Sequence, residues 1–502
     1  MLTRSHTGPT IVTVSRDGDR VVRVHGKEVS VHSAIPIEGS RFLRSIKLQE
    51  PFGSQLKFVK ISWSDSASDD AGTRMQTDDE GPLDLVSHQR LLCATSNRIS
   101  VWQLNSLEWH ADIDNIEPNV TAIDFGSNAE EAILFHAWSS KITIFNLETA
   151  SSLVIKSPKF CSPSSQGHGY RPQTKQLAIL LKPEASDLLT IHEAHSYETI
   201  SKVNLPTVDA QGLNWSPDGR WIAVWDAASN GTKVLIYTAD GQHFRTYTGR
   251  SDVGSTHDLG VKCIEWAPLK PRQQNSEVLA IGKYDGTVDL LNTRTFSCST
   301  TLSHTFQINV ESPRVWRERM SPDGKLEYVE AASSSAFITA GDSTSQLPRG
   351  VSLLQFSPHG DFFATVDQTR PNIVWIWAMS TPPSLETALV HEHNVKNISW
   401  HSKNQQILIT TANTTLAVVY LWSTEQPPVI SELPISRSEA GRYDVTWVRS
   451  GDLEALGYFW FSNAEDAVLG RVTVDDEGNV PFDSIHVVSR GGLIGSQRNN
   501  CS

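Results

Sequence analysis

The 502-residue chain is poor in cysteine, methionine and positive charge. Its five cysteines, Cys93, Cys161, Cys263, Cys298 and Cys501, are odd in number, scattered and without a Cys-x-x-Cys pair, which removes a disulfide framework and a thiolate zinc site. No apolar run approaches the ~20 residues that span a bilayer, and the first ten residues lack the charged-then-apolar order of a secretory leader. A soluble, intracellular protein is expected, with the sequons at Asn119, Asn230, Asn397 and Asn413 incidental. Lys and Arg total 43 against 56 Asp and Glu, a net charge of -13, so the basic stripe by which nonspecific nucleic-acid binders release phosphate counterions is missing.

Catalytic signatures are also missing. No Gly-x-x-x-x-Gly-Lys-Ser/Thr loop, no Gly-x-Gly-x-x-Gly after a strand and no Gly-x-Ser-x-Gly elbow occurs. His192-Glu193-Ala194-His195 misses the His-Glu-x-x-His spacing by one residue, and two ligands without a third do not make a zinc site. The acidic pairs Asp69-Asp70 and Asp78-Asp79 fall in a Ser/Thr/Asp/Glu-rich stretch, 65–84, that reads as a disordered, solvated insert. No catalytic residue, cofactor or metal is expected, although propeller enzymes draw their groups from scattered blades and so escape motif reading.

What the chain does have is repetition. Leu213-Asn214-Trp215-Ser216-Pro217-Asp218-Gly219 followed by apolar Trp221–Val224 returns as Gln355-Phe356-Ser357-Pro358-His359-Gly360 with Phe362–Val366, and again from Glu265-Trp266-Ala267-Pro268 to Val278–Gly282. Each copy is a short run ending in an aromatic, a turn in which proline fixes φ and glycine takes φ > 0, and a second run. The Trp266 copy continues through Lys283-Tyr284-Asp285-Gly286 to a third strand, and third runs end at Trp102, Phe145, Tyr237, Trp377 and Trp422. The anchors Trp215, Trp266, Phe356, Trp400 and Trp447 recur roughly every 44–51 residues where adjacent copies are uninterrupted, close to the ~40–45 of a four-stranded blade. Helical arrays of that period need apolar residues at i, i+3, i+4 and i+7, a pattern these segments lack.

The sequence thus predicts an all-β WD40-type propeller of about eight to nine four-stranded blades, as one large ring or two unequal rings, over 1–472. Further copies start at Ile11, at Val59 with Trp63, at Val120 and near Phe160. Met320-Ser321-Pro322-Asp323-Gly324 imitates the turn but lacks the apolar run that follows elsewhere, so 304–349 reads as one long insertion with a hairpin at that turn. The tail, 473–502, is expected to be partly disordered beyond a strand near Ile485–Val488. Asp285 and His391, four residues before Val395, match the turn Asp and the Gly-His position of WD-like repeats.

Beyond the generic repeat, Leu107-Glu108-Trp109-His110-Ala111-Asp112, Gly212–Pro217 with Ala223-Val224-Trp225-Asp226, Leu259–Pro268 and Pro371–Trp377 carry a resemblance to the WD-repeat protein eight family of centrosomes and spindle poles, over roughly 57–447. The chain departs from it at its start, where only Arg16-Asp17-Gly18 stands for the usual Ser-Pro-Asp-Gly turn. The resemblance implies a non-enzymatic scaffold in the cytoskeleton, at the microtubule-organising centre. Its implied partners are a coiled-coil microtubule-anchoring protein and a minus-end-directed kinesin-14, with no nucleic acid, membrane or small-molecule substrate. A ubiquitin-ligase receptor is disfavoured because Trp225-Asp226-Ala227-Ala228, Trp377-Ala378-Met379 and Trp422-Ser423-Thr424 lack a Trp-Asp-x-Arg ending; a translation-factor-like propeller would want basic loops. Trp109 and Trp138 are candidate docking aromatics, with packing between blades as the competing role.

Overall fold

The computed structural model describes residues 10–37, 39–49, 52, 55–62, 89–104, 109–114, 116–249, 258–270, 276–305, 314–331, 349–434, 440–449, 451–474 and 480–489. Each repeat forms an antiparallel meander of four consecutive strands. The nine blades cover 10–47, 58–114, 122–156, 168–204, 212–247, 261–303, 351–390, 395–432 and 444–488. Alternation along each strand sends one set of side chains to each face of the sheet, and every blade face is covered by a neighbouring blade.

Nine apolar clusters result, one at each blade-to-blade joint. The last joins Val21 and Ala34 of blade one to Val448, Trp460, Leu469 and Val488 of blade nine, so the chain closes a single ring of nine rather than two rings. Among the described residues, neither end lends a strand to the other end's blade.

The recurrent Ser-Pro-x-Gly turn has a defined geometry. Ser216 Oγ donates to Asp218 Oδ1 (2.5 Å) and accepts from Trp221 N (3.0 Å), while Gly219 N donates to Ser216 O (2.8 Å) with Gly219 at φ 65°. Blade one repeats this with Ser15, Asp17 and Gly18, where Arg20 N donates to Ser15 Oγ at 2.9 Å. Its weak Arg16-Asp17-Gly18 signal is therefore a complete turn lacking only the proline.

The anchor tryptophans are amphipathic staples. Each buries its ring in a joint and donates Nε1–H to a backbone carbonyl of the preceding blade: Trp215 to Gly169 (3.0 Å), Trp266 to Asn214 (3.3 Å), Trp400 to Gln355 (3.1 Å) and Trp447 to Ser399 (2.9 Å). Such a bond contributes roughly 1 kcal/mol net beyond the ring's burial. Phe356 holds the same position without the N–H and instead stacks on Phe363, with centroids 4.2 Å apart. Trp102 and Trp422 lie in third strands, Trp422 edge-on to Trp400. Trp63 and the insert at 65–84 lie outside the described residues.

One boundary moves, and the long insertion joins a blade. Phe482–Val488 pairs with Ala467–Val472 as the fourth strand of blade nine, so the propeller runs past 472. Within 304–349 the hairpin of Arg314–Met320 and Leu326–Glu330 does form, and it adds to blade seven by parallel pairing of Arg314–Met320 with Ser384–Val390. Leu326 and Tyr328 pack against the joint of blades seven and eight. A parallel partner over fifty residues away leaves no local trace in sequence.

Candidate partner-binding surface

Most of the repeat-signature polar groups serve the fold. Asp285 accepts from Thr287 N (2.8 Å) and Thr287 Oγ1 (2.6 Å), closing its turn. Asp226 is fully buried, pairs with Lys233 (3.5 Å), and accepts from Val208 N, Asp209 N, Ala227 N and Asn230 Nδ2. Burial raises its pKa, but these donors outweigh it and hold the carboxyl below its ordinary value.

His391 does not occupy a Gly-His network. It is buried beneath the inserted hairpin, with Nδ1 3.3 Å from Tyr328 Oη and 4.0 Å from Glu318, whose carboxylate accepts from Tyr420 Oη (3.0 Å) and Glu392 N (2.9 Å). Burial lowers the imidazole's pKa to about 3, which keeps it neutral. The histidine that completes a Trp–Thr–His network is His304. Its Nε2 lies 2.8 Å from Thr365 Oγ1, which accepts from Trp377 Nε1 at 3.0 Å, and its Nδ1 lies 2.5 Å from Gly286 O. Sequence reading assigned His304 to the insertion, because the insertion separates it from its blade by 45 residues instead of the usual few.

The two docking candidates differ. Trp109 lies under the Arg90 guanidinium, 4.0 Å from ring centroid to Cζ, and packs against the joint of blades two and three. Trp138 sits at the turn between Glu131–His136 and Lys141–Asn146 and is 88% exposed. His192 is buried against Thr190 Oγ1 and Tyr197 O, whereas His195 is on the turn beyond it. No group of three metal-ligating side chains occurs among the described residues.

One concavity shared by several blades was not legible in the sequence. The first strands of neighbouring blades approach one another along the ring's inner edge. Where their outgoing turns gather, blades one to four leave a cavity of about 740 Å³. Its apolar wall is Val14, Ile61, Phe125, Phe135 and Tyr170, and its cations are Arg16, Lys60, Arg171 and Lys175. Among the described residues the lining holds one carboxylate, Asp124, 3.5 Å from Lys60.

Arg171 is preorganised. Nε donates to Gly219 O (2.7 Å) and Nη1 to Gln176 Oε1 (2.9 Å), so one guanidinium seals the joint of blades four and five and faces the cavity. Burial, reinforced by Arg449 and opposed by Asp124, lowers the pKa of Arg16. Nδ1 of His168 is buried without a hydrogen-bond partner, and burial, opposed by Asp124, lowers this imidazole's pKa as well.

No protein-family model matches the chain. It is 27% identical over 404 residues to the mouse WD repeat-containing protein WRAP73, a match covering 76% of this chain and 80% of that protein. It is 24% identical over 489 residues to an uncharacterised WD repeat-containing protein of Schizosaccharomyces pombe, covering 94% and 90% respectively. Among solved structures, the C-terminal WD40 domain of Sif2 aligns with a TM-score of 0.44 at 9% identity, covering 85% of this chain and 97% of that one.

Proposed function

Since the chain is a WD-repeat protein folded as a nine-bladed propeller, we propose that it acts as a non-enzymatic scaffold at the microtubule-organising centre, the spindle pole body in a fungus. In this reading it bridges a coiled-coil anchoring protein and a minus-end-directed kinesin-14, tethers microtubule minus ends and supports spindle assembly. The observation that carries the scaffold role is the closed set of nine joint cores, which makes a rigid platform able to hold two partners without rearranging. The pole assignment draws on the family resemblance of Glu108-Trp109-His110 and Ala223-Val224-Trp225-Asp226 and on similarity to WRAP73 over three quarters of the chain. The exposed Trp138 supplies one rigid aromatic anchor for a partner.

Affinity purification of the tagged protein from mitotic cells, read by mass spectrometry, tests this. Recovery of a coiled-coil pole protein together with a kinesin-14 is the expected result. Cullin adaptors or initiation factors without any pole component would overturn the assignment while leaving the propeller intact.

A further inference from the structure

We propose that the cavity at the inner edge of blades one to four is a docking site for a short acidic peptide segment of a partner protein, with carboxylates on the basic rim and an apolar side chain against the aromatic wall. The inference depends on the propeller alone and not on the spindle-pole reading, so either can fail without the other.

Charge is the first observation. Among the described residues, four cations and one carboxylate line a cavity in a chain whose net charge is -13, so this patch opposes the field of the rest of the molecule. A long polyanion such as a nucleic acid or an anionic membrane would meet that opposing field across its length. A segment of a few residues meets only the patch.

Construction is the second observation. The Arg171 fork is fixed by two hydrogen bonds, so little rotamer entropy is lost when it pairs with a carboxylate.

Shape is the third. The volume lies within the ~300–1,000 Å³ typical of ligand sites, and Phe125, Phe135 and Tyr170 provide apolar area beside the charges. Lys60 and Lys175 come from different blades, so a bound segment would span the inner edge rather than sit in one turn.

The test is fluorescence anisotropy of the full chain with three fluorescein-labelled decapeptides: alternating Glu and Leu, alternating Lys and Leu, and alternating phosphoserine and Ala. Saturable binding of the Glu/Leu peptide that weakens with added salt is expected. Lys60→Glu with Lys175→Glu should weaken it about tenfold or more, whereas Lys325→Glu on the inserted hairpin should leave it unchanged. Thermal unfolding of each variant checks that the fold is retained; if the double variant unfolds, Lys175→Glu alone serves, with a smaller loss of the same sign. Absence of binding, equal binding by the Lys/Leu peptide, binding of the phosphoserine peptide alone, or a Glu/Leu affinity indifferent to the lysine reversals would each overturn the proposal.

Discussion

The joint of blades four and five and the joint of blades nine and one bury similar apolar clusters but are held by different parts. At the first, Trp215 closes a Ser-Pro-Asp-Gly blade, donates to Gly169 and is flanked by Arg171, and the chain itself runs from one blade to the next through 205–211. At the second, Val14 stands where the anchor tryptophan would be and no covalent link crosses. The seam relies on Trp460 from the second strand of blade nine, whose Nε1 donates to Gly18 O at 2.7 Å, on Arg449 N to Asp17 O at 2.9 Å, and on His32 beside His486 at 3.1 Å. At the joint of blades four and five the repeat signature itself holds two sequence neighbours together. Where the ends of the chain meet, a different set of side chains closes the ring.

The largest expected effect follows from Trp460, which is fully buried at the seam. Trp460→Ala should cost about 3–5 kcal/mol, the range for truncating a buried aromatic. Hydrogen exchange should then show blades one and nine losing protection before blades four and five. Trp215→Ala removes a ring of the same kind but leaves its two blades covalently linked, so its loss should appear as global destabilisation without selective opening.

A smaller change isolates the staple. Trp215→Phe keeps most of the ring and removes the N–H, so denaturant unfolding should show a loss of about 1 kcal/mol. A loss near that of Trp215→Ala would mean that shape rather than the hydrogen bond fixes this joint.

The effect that is smallest at neutral pH is the pH response of the seam. Burial, the His486 ring and Arg23 lower the pKa of His32 to about 4; burial and Arg41 do the same to His486. The unfolded chain takes up these protons near the ordinary value of ~6.5, and the folded seam resists them until about 4. Stability from this pair is therefore complete above about 6.5 and declines as pH falls towards 4. His486→Asn should flatten the slope of unfolding free energy over that interval, measured by urea titration at successive pH values, with little change at pH 7.5.

The difference between the two joints also marks what could be read in advance. Blade five was legible because its turn chemistry lies within six consecutive residues, Trp215 to Arg220. Blade one was faint because proline and tryptophan are both replaced, although Ser15, Asp17 and Gly18 build the same turn. His304 and the parallel pairing of the inserted hairpin were hidden by the length of chain between partners. The cavity was hidden for the same reason: Arg16, Lys60, Arg171 and Lys175 converge only after four blades have been arranged around an inner edge. Local turn chemistry survives in a sequence, while surfaces assembled from several repeats do not announce themselves by spacing.

Ring closure without strand exchange is tested most directly by comparing Gly18→Ala with Gly26→Ala in equilibrium unfolding. Both glycines have positive φ, 71° and 61°, so both substitutions carry the ~1–2 kcal/mol of a left-handed backbone. Only at Gly18 would the added Cβ meet another blade, 2.3 Å from Trp447 O, whereas at Gly26 nothing lies within 4 Å. A much larger loss for Gly18→Ala, with early loss of exchange protection in blades one and nine, is the predicted result; equal losses for the two would contradict a ring closed by the packing of blade nine on blade one.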